Sequence, residues 1–185
     1  MRDPLDFTGR VAIVTGGGRG IGRGIATRLL QAGADVVICG RSEPESLPAA
    51  AGRTAAFVAA DVREAEAIDR VLAETKRLFG RLDVLVNNAG GSPPADAATA
   101  SPRFSEAILR LNLLAPLVFS QKANALMQGQ PDGGSIVNIA SVWSSPPAFP
   151  SGAPGRRISC ASAASAKPAA KRWPGTEFFR RLTRG

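Results

Sequence analysis

The residues best able to do chemistry are Gly16-Gly17-Gly18-Arg19-Gly20-Ile21-Gly22. They stand between a short β-rich apolar run, Val11-Ala12-Ile13-Val14-Thr15, and a stretch where Ile21, Ile25, Ala26, Leu29 and Leu30 recur at helical spacing before Gly33. Glycines between a buried strand and a helix let the backbone turn sharply and approach a pyrophosphate, and the helix N-terminus favours its charge. Gly16, Gly20 and Gly22 carry the spacing that counts. The plain alternative is a tight structural connection. Arg41 follows the second apolar run, where an acid would bond a ribose 2′-hydroxyl and an arginine can pair with a 2′-phosphate. Arg19 adds a second cation, so NADP is the preferred nucleotide, while Glu43 keeps NAD open.

Other chemistries are excluded by inventory. The 185 residues contain no histidine and two cysteines, which rules out a zinc site and a Ser-His-Asp triad; no metal is expected. Cys39 lies in an apolar run and reads as a small buried hydrophobe. No apolar run is long enough to span a bilayer, and Met1-Arg2-Asp3-Pro4 lacks the layout of a secretory signal, so the expected location is the cytoplasm. The net charge of +8 is unevenly placed. Residues 151–185 hold eight basic residues against the single acid Glu177, so nearly all the excess sits in the tail. A nucleic-acid arm ranks last among the readings of that tail, whose aromatic residues are only Trp173, Phe178 and Phe179.

The elements that must position the glycine loop alternate. Strands are predicted at Val11–Thr15, Val36–Cys39, Ala56–Ala59, Asp83–Asn87 and Ser135–Ala140. Helices are predicted from Ile21 to Gly33, from Glu64 to Phe79 with Ile68, Val71, Leu72 and Leu78 on one face, and over 102–127 with Phe104, Ile108, Leu109, Leu113 and Leu117 as the apolar stripe. This order implies an α/β fold, a doubly wound parallel sheet of Rossmann type, incomplete at its C-terminal end. Residues 1–145 read as one nucleotide-binding domain. Residues 146–185 read as a basic, irregular tail without a sheet strand, holding six of the fourteen prolines.

Taken together, Thr15-Gly-Gly-Gly-Arg-Gly-Ile-Gly22, Asp61-Val62 and Asn87-Asn88-Ala89-Gly90 resemble the motifs of the short-chain dehydrogenase/reductase family over residues 7–145. The resemblance implies NADP-dependent hydride transfer between nicotinamide and the alcohol or carbonyl of a small molecule. It places Gly16, Arg19, Gly20, Ile21, Gly22, Arg41, Asp61, Val62, Asn88, Ala89 and Gly90 around the cofactor, with Asp61 and Val62 beside the adenine. It gives Asn112 the part of the asparagine that anchors a water in proton relay, and Ser141 that of the serine bonding the substrate oxygen.

The family also requires Tyr-x-x-x-Lys on the next helix, where the ammonium lowers the phenol pKa for proton exchange. The chain contains no tyrosine, and the residues four before Lys167 and Lys171 are Ala163 and Lys167. Little or no turnover is therefore expected, and a non-catalytic nucleotide-binding remnant is the second reading. The abrupt change of composition after Val142 to Pro154 suggests a shifted reading frame. Without the catalytic helix, the Ser135–Ala140 strand becomes a sheet edge and the family's usual subunit interface lacks one of its helices, so a homo-oligomer is not expected.

Overall fold

The computed structural model describes residues 6–93, 95, 99–140 and the backbone of 161–166. Five parallel strands form the sheet: β1 (Val11–Thr15), β2 (Asp35–Gly40), β5 (Ala56–Ala59), β6 (Val84–Asn87) and β7 (Gly134–Ile139). Their order is β5-β2-β1-β6-β7, so the chain first runs outward from β1 and then returns to start again at β6. That reversal opens a crevice at the C-terminal ends of β1 and β6, the place where ligands bind in open α/β sheets.

Period-two alternation gives the sheet two apolar faces. Ala12, Val14, Val36, Ile38 and Val86 pack under α1 (Gly20–Gln31) through Ala26 and Leu30. Ile13, Val37, Cys39, Leu85 and Ile136 face the opposite layer, made by α2 (Ala65–Phe79) and α4 (Ala115–Gln128). Cys39 is wholly buried, and desolvation pushes its thiol up to about 12, so it serves as packing. At the opposite edge from the crevice, buried Asp83 accepts from the Val11 N–H at 2.9 Å and from Arg10 and Arg81 at 2.8 and 2.6 Å, which ties the starts of β1 and β6 together.

Several expectations need correction. Leu78 is 40% exposed, and the adjacent Phe79 makes the core contact at that end of α2. Ile21 does not join the α1 stripe but stands 71% exposed. The single helix expected over 102–127 is α3 (Pro102–Leu109) joined to α4 by a π-helical turn, Arg110–Leu114. Its buried line is Ala115, Phe119, Ala123 and Met127, whereas Leu109, Leu113, Leu114 and Leu117 are about half exposed. At 100° per residue, Leu117 lies about 200° from Ala115, so the two four-residue series occupy opposite sides of the helix. The leucine-rich series looks apolar in sequence, but the flatter side of alanines and one phenylalanine is what fits against the sheet.

The segment before β5 holds a hairpin that no periodicity announced, β3 (Ala49–Ala50) with β4 (Arg53–Thr54). Its turn residues Ala51 and Gly52 both have positive φ, 51° and 73°, the handedness that suits a two-residue hairpin. The tail also contributes a strand. β8 (Ala161–Ala166) pairs antiparallel with β7, Gly134 opposite Ala166 and Ile139 opposite Ala161, so β7 is not the outer strand. The open ladder of β7 supplies the physical reason, since its unpaired backbone groups accept a partner of weak strand propensity.

Phe119→Ala should cost about 3–5 kcal/mol in urea unfolding, whereas Leu117→Ser on the opposite side should change stability by less than about 0.5 kcal/mol.

Candidate functional site

The crevice is built around one close approach. Gly16 has φ +65°, and its N–H donates to the Cys39 carbonyl at 2.8 Å, which turns the chain off β1. Gly22 then brings the first turn of α1 against the loop after β6: a Cβ there would overlap the Asn88 amide nitrogen and the Gly16 carbonyl. Asn88 Nδ2 donates to the Thr15 carbonyl at 2.9 Å. The Thr15 hydroxyl oxygen accepts from the N–H groups of Asn88 and Ala89 at 2.9 and 2.8 Å. Thr15 thus locks the two strand ends together, a part its position at the end of an apolar run does not advertise.

The N-terminus of α1 faces outward from this junction. Its N-cap, Arg19, makes no side-chain cap, and no acid stands in the first turn. Gly20 has φ +53° and nothing within 4 Å of where a Cβ would be. The first amides of the helix therefore meet open space with a positive dipole behind them, the requirement for an anionic group. Arg19 and Arg41 are both exposed, and their side chains form no hydrogen bond or ion pair among the described residues. Arg23, which sequence reasoning missed, turns back from α1 to donate to the Ser46 carbonyl at 2.6 Å and so holds the loop after β2 beside the glycine turn. A surface arginine at i+4 from Arg19 gives no signal of that role in sequence.

On the adenine side of the resemblance, the structure places Asp61 and Val62 just beyond β5. Val62 is 8% exposed and joins the core, while Asp61 faces outward and is gripped by Arg63. Arg63 Nε donates to Asp61 Oδ1 at 2.9 Å and Nη2 donates to Oδ2. These hydrogen bonds, chiefly, hold the Asp61 carboxyl below its ordinary value, with a smaller contribution from the charge on Arg41. Gly90 is exposed at the end of the β6 loop, and a Cβ there would press on Asn112 Oδ1.

Asn112 lies within the π-helical turn. Its Oδ1 accepts from the Gly91 N–H at 2.9 Å, and Nδ2 donates to the carbonyls of Gly91 and Ile108 at 3.0 and 2.9 Å. The side chain is thereby committed to clamping the β6 loop onto the helix. Asn87, absent from the sequence-based set, is buried and donates to Asn138 Oδ1 at 2.9 Å and Ser120 Oγ at 3.0 Å, linking β6, β7 and α4. Ser141 lies outside the described residues.

Residues 10–153 match the family model described as short chain dehydrogenase, beyond the expected limit at Ser145. The chain is 39% identical over 144 residues to L-fucose dehydrogenase of Bos taurus, covering 74% of this chain and 50% of the relative. It is 38% identical over 143 residues to 2-dehydro-3-deoxy-D-gluconate 5-dehydrogenase of Escherichia coli K12, covering 76% and 56%. A Sinorhizobium meliloti 1021 protein, solved as a putative short-chain alcohol dehydrogenase, superposes with a TM-score of 0.64 at 34% identity over 72% of this chain and 55% of that one. The chain belongs to the short-chain dehydrogenase/reductase family, an oxidoreductase family that binds NAD(P). It spans about half the length of the curated relatives it matches. Among the described residues no helix is long and apolar enough to cross a membrane, and no side-chain cluster could hold a metal ion.

Gly22→Ala should cost about 1–3 kcal/mol by overpacking the junction, while Gly24→Ala, in open space on the same helix, should stabilise by about 0.5–1 kcal/mol; thermal unfolding of both variants separates them. The contribution of Asp61 to stability is present above its unfolded value of 3.8 and is lost as pH falls through its lower folded value. Asp61→Asn should therefore flatten the acid limb of the stability curve, with a loss at pH 7 of no more than about 1 kcal/mol.

Proposed function

We propose that this chain binds NADP in the crevice at the ends of β1 and β6, in the manner of an oxidoreductase acting on the alcohol or carbonyl of a small molecule. The observation that carries the reading is the uncapped N-terminus of α1, with Gly20 open above it and Gly22 leaving no room for a side chain below. A pyrophosphate at that position takes the orphan amides, and Arg19 and Arg41 stand free to pair with a 2′-phosphate. Ile21, 71% exposed beside the turn, supplies an apolar cover for the bound nucleotide. Bound NADP supplies the hydride chemistry. The chain's own residues bind and orient it: the glycine turn at the phosphates, Asp61 with Val62 at the adenine, and Asn88, Ala89 and Gly90 along the ribose.

The substrate class rests on the family and on relatives that are dehydrogenases of L-fucose and of 2-dehydro-3-deoxy-D-gluconate. Ser141 is the group assigned to the substrate oxygen, and Asn112 steadies the loop beneath the nicotinamide side. With no tyrosine in the sequence, the family's phenol proton donor is missing, and the chain by itself binds nucleotide with little or no turnover. A cytoplasmic monomer is the form proposed, since the second helix of the family's subunit interface has no counterpart in the sequence. Nucleic acid is not proposed as a partner.

Fluorescence titration with NADPH and NADH tests this directly. NADPH should bind about tenfold or more tightly than NADH, and Arg41→Ala should remove most of that preference, as expected for a lost charge-assisted hydrogen bond. Steady-state assays with sugar and ketone substrates should show no turnover. Equal affinity for both nucleotides would overturn the NADP assignment, and turnover would overturn the requirement for tyrosine.

A further inference from the structure

Asp61 and Arg63 stand on either side of Val62, whose side chain is 8% exposed in the core. In extended backbone, alternate residues point the same way, so one anchored valine sends both neighbours outward together. The resulting contact is a fork. Asp61 Oδ1 accepts from the Arg63 backbone N–H at 3.1 Å and from Nε at 2.9 Å, while Oδ2 accepts from Nη2 and, at the longer 3.1 Å, from Nε. A carboxylate offers about four lone-pair sites. Oδ1 is filled by two donors, and Oδ2, with one close donor, keeps a place for another.

Three further facts show that this pair places a group more than it holds the fold. Asp61 and Arg63 are 26% and 35% exposed, a setting in which ion pairs add little stability. Arg63 has no other hydrogen-bond partner among the described residues and borders an open cleft of about 340 Å³ shared with Glu64, Arg103, Glu106 and Arg110. Asp61 also faces the crevice side, where the charge of Arg41 reaches it.

We propose that Arg63 is a positioning residue that fixes the Asp61 carboxylate so that Oδ2 accepts from the exocyclic amino group of a bound 6-aminopurine dinucleotide and rejects its 6-oxopurine counterpart. This rests on the NADP reading above. Two oxygens already committed to the fork cannot rotate to donate or withdraw, so the remaining site is an acceptor only. An amino group satisfies it. A 6-oxo group in the same place sets one acceptor against another, and a carboxylate released from Arg63 is free to turn away from either.

The test is titration of the full chain with NADPH and with reduced nicotinamide hypoxanthine dinucleotide phosphate. The unaltered chain should favour NADPH about tenfold, the scale of one hydrogen bond to a charged group. Arg63→Ala should bring the two affinities within about threefold of each other, and Arg63→Lys should recover part of the preference, since an ammonium gives charge without the fork. A merely structural pair would change both affinities equally and leave their ratio untouched. If Arg63→Ala does not fold by circular dichroism, Arg63→Gln carries the same comparison. An unchanged ratio in the folded variant overturns the proposal, as does equal binding of the two nucleotides by the unaltered chain. Failure of the unaltered chain to bind NADPH at all overturns the NADP reading, and this inference with it.

Discussion

The closest constraint in the molecule is the absence of space beside Gly22. The first turn of α1 presses so near to Asn88 and Gly16 that no side chain fits between them. From that contact the remaining geometry of the crevice follows. The helix start is fixed relative to β6, so its free amides point along a defined line. The Thr15 hydroxyl completes the junction by taking two N–H groups from the opposing loop, which would otherwise be left without partners where the strands separate. Because β1 and β6 are adjacent in the sheet but far apart in sequence, this small polar lock also joins the two halves of the doubly wound fold.

Much of this architecture was legible because the residues obey simple periods. Val11–Thr15 and Val36–Cys39 are continuous apolar runs ended by glycine or arginine, and they form buried parallel strands. The helix after Glu64 was equally plain, since Ile68, Val71 and Leu72 share a face and Gly80 ends it in the left-handed region. The helix over 102–127 misled because it carries two apolar sides. Hydrophobicity alone favours the leucines, but the π-helical turn and the shape of the sheet select Ala115, Phe119, Ala123 and Met127. The hairpin at Ala49–Thr54 is too short to show a period. β8 has no signal of its own, because alanine and serine acquire strand geometry there only from the neighbouring ladder.

The candidate site divides in the same way. Glycine positions could be read because each has a steric or conformational reason tied to its neighbours in sequence. Side chains that act by reaching elsewhere could not. Arg23 is an ordinary helical arginine until it meets the Ser46 carbonyl, and Asn112 is an ordinary helical asparagine until it meets both backbone groups of Gly91. Arg63 looks like a solvated charge in sequence, yet its fork with Asp61 depends on Val62 being drawn inward. Tertiary placement supplies these roles, and a linear pattern of residue types does not contain it.

Thr15, the glycine turn, Arg41, Asp61 and Asn88 all precede Gly91, and Asn112 reaches back only to steady that last position. The crevice is consequently an inheritance from the first half of the chain. Whatever follows can be exchanged, shortened or rewritten without re-carving the cradle, provided something still covers the far side of β7. In such a layout recognition and reactivity are separable traits: a lineage can lose the second in a single genetic event and go on making a chain that retains the first.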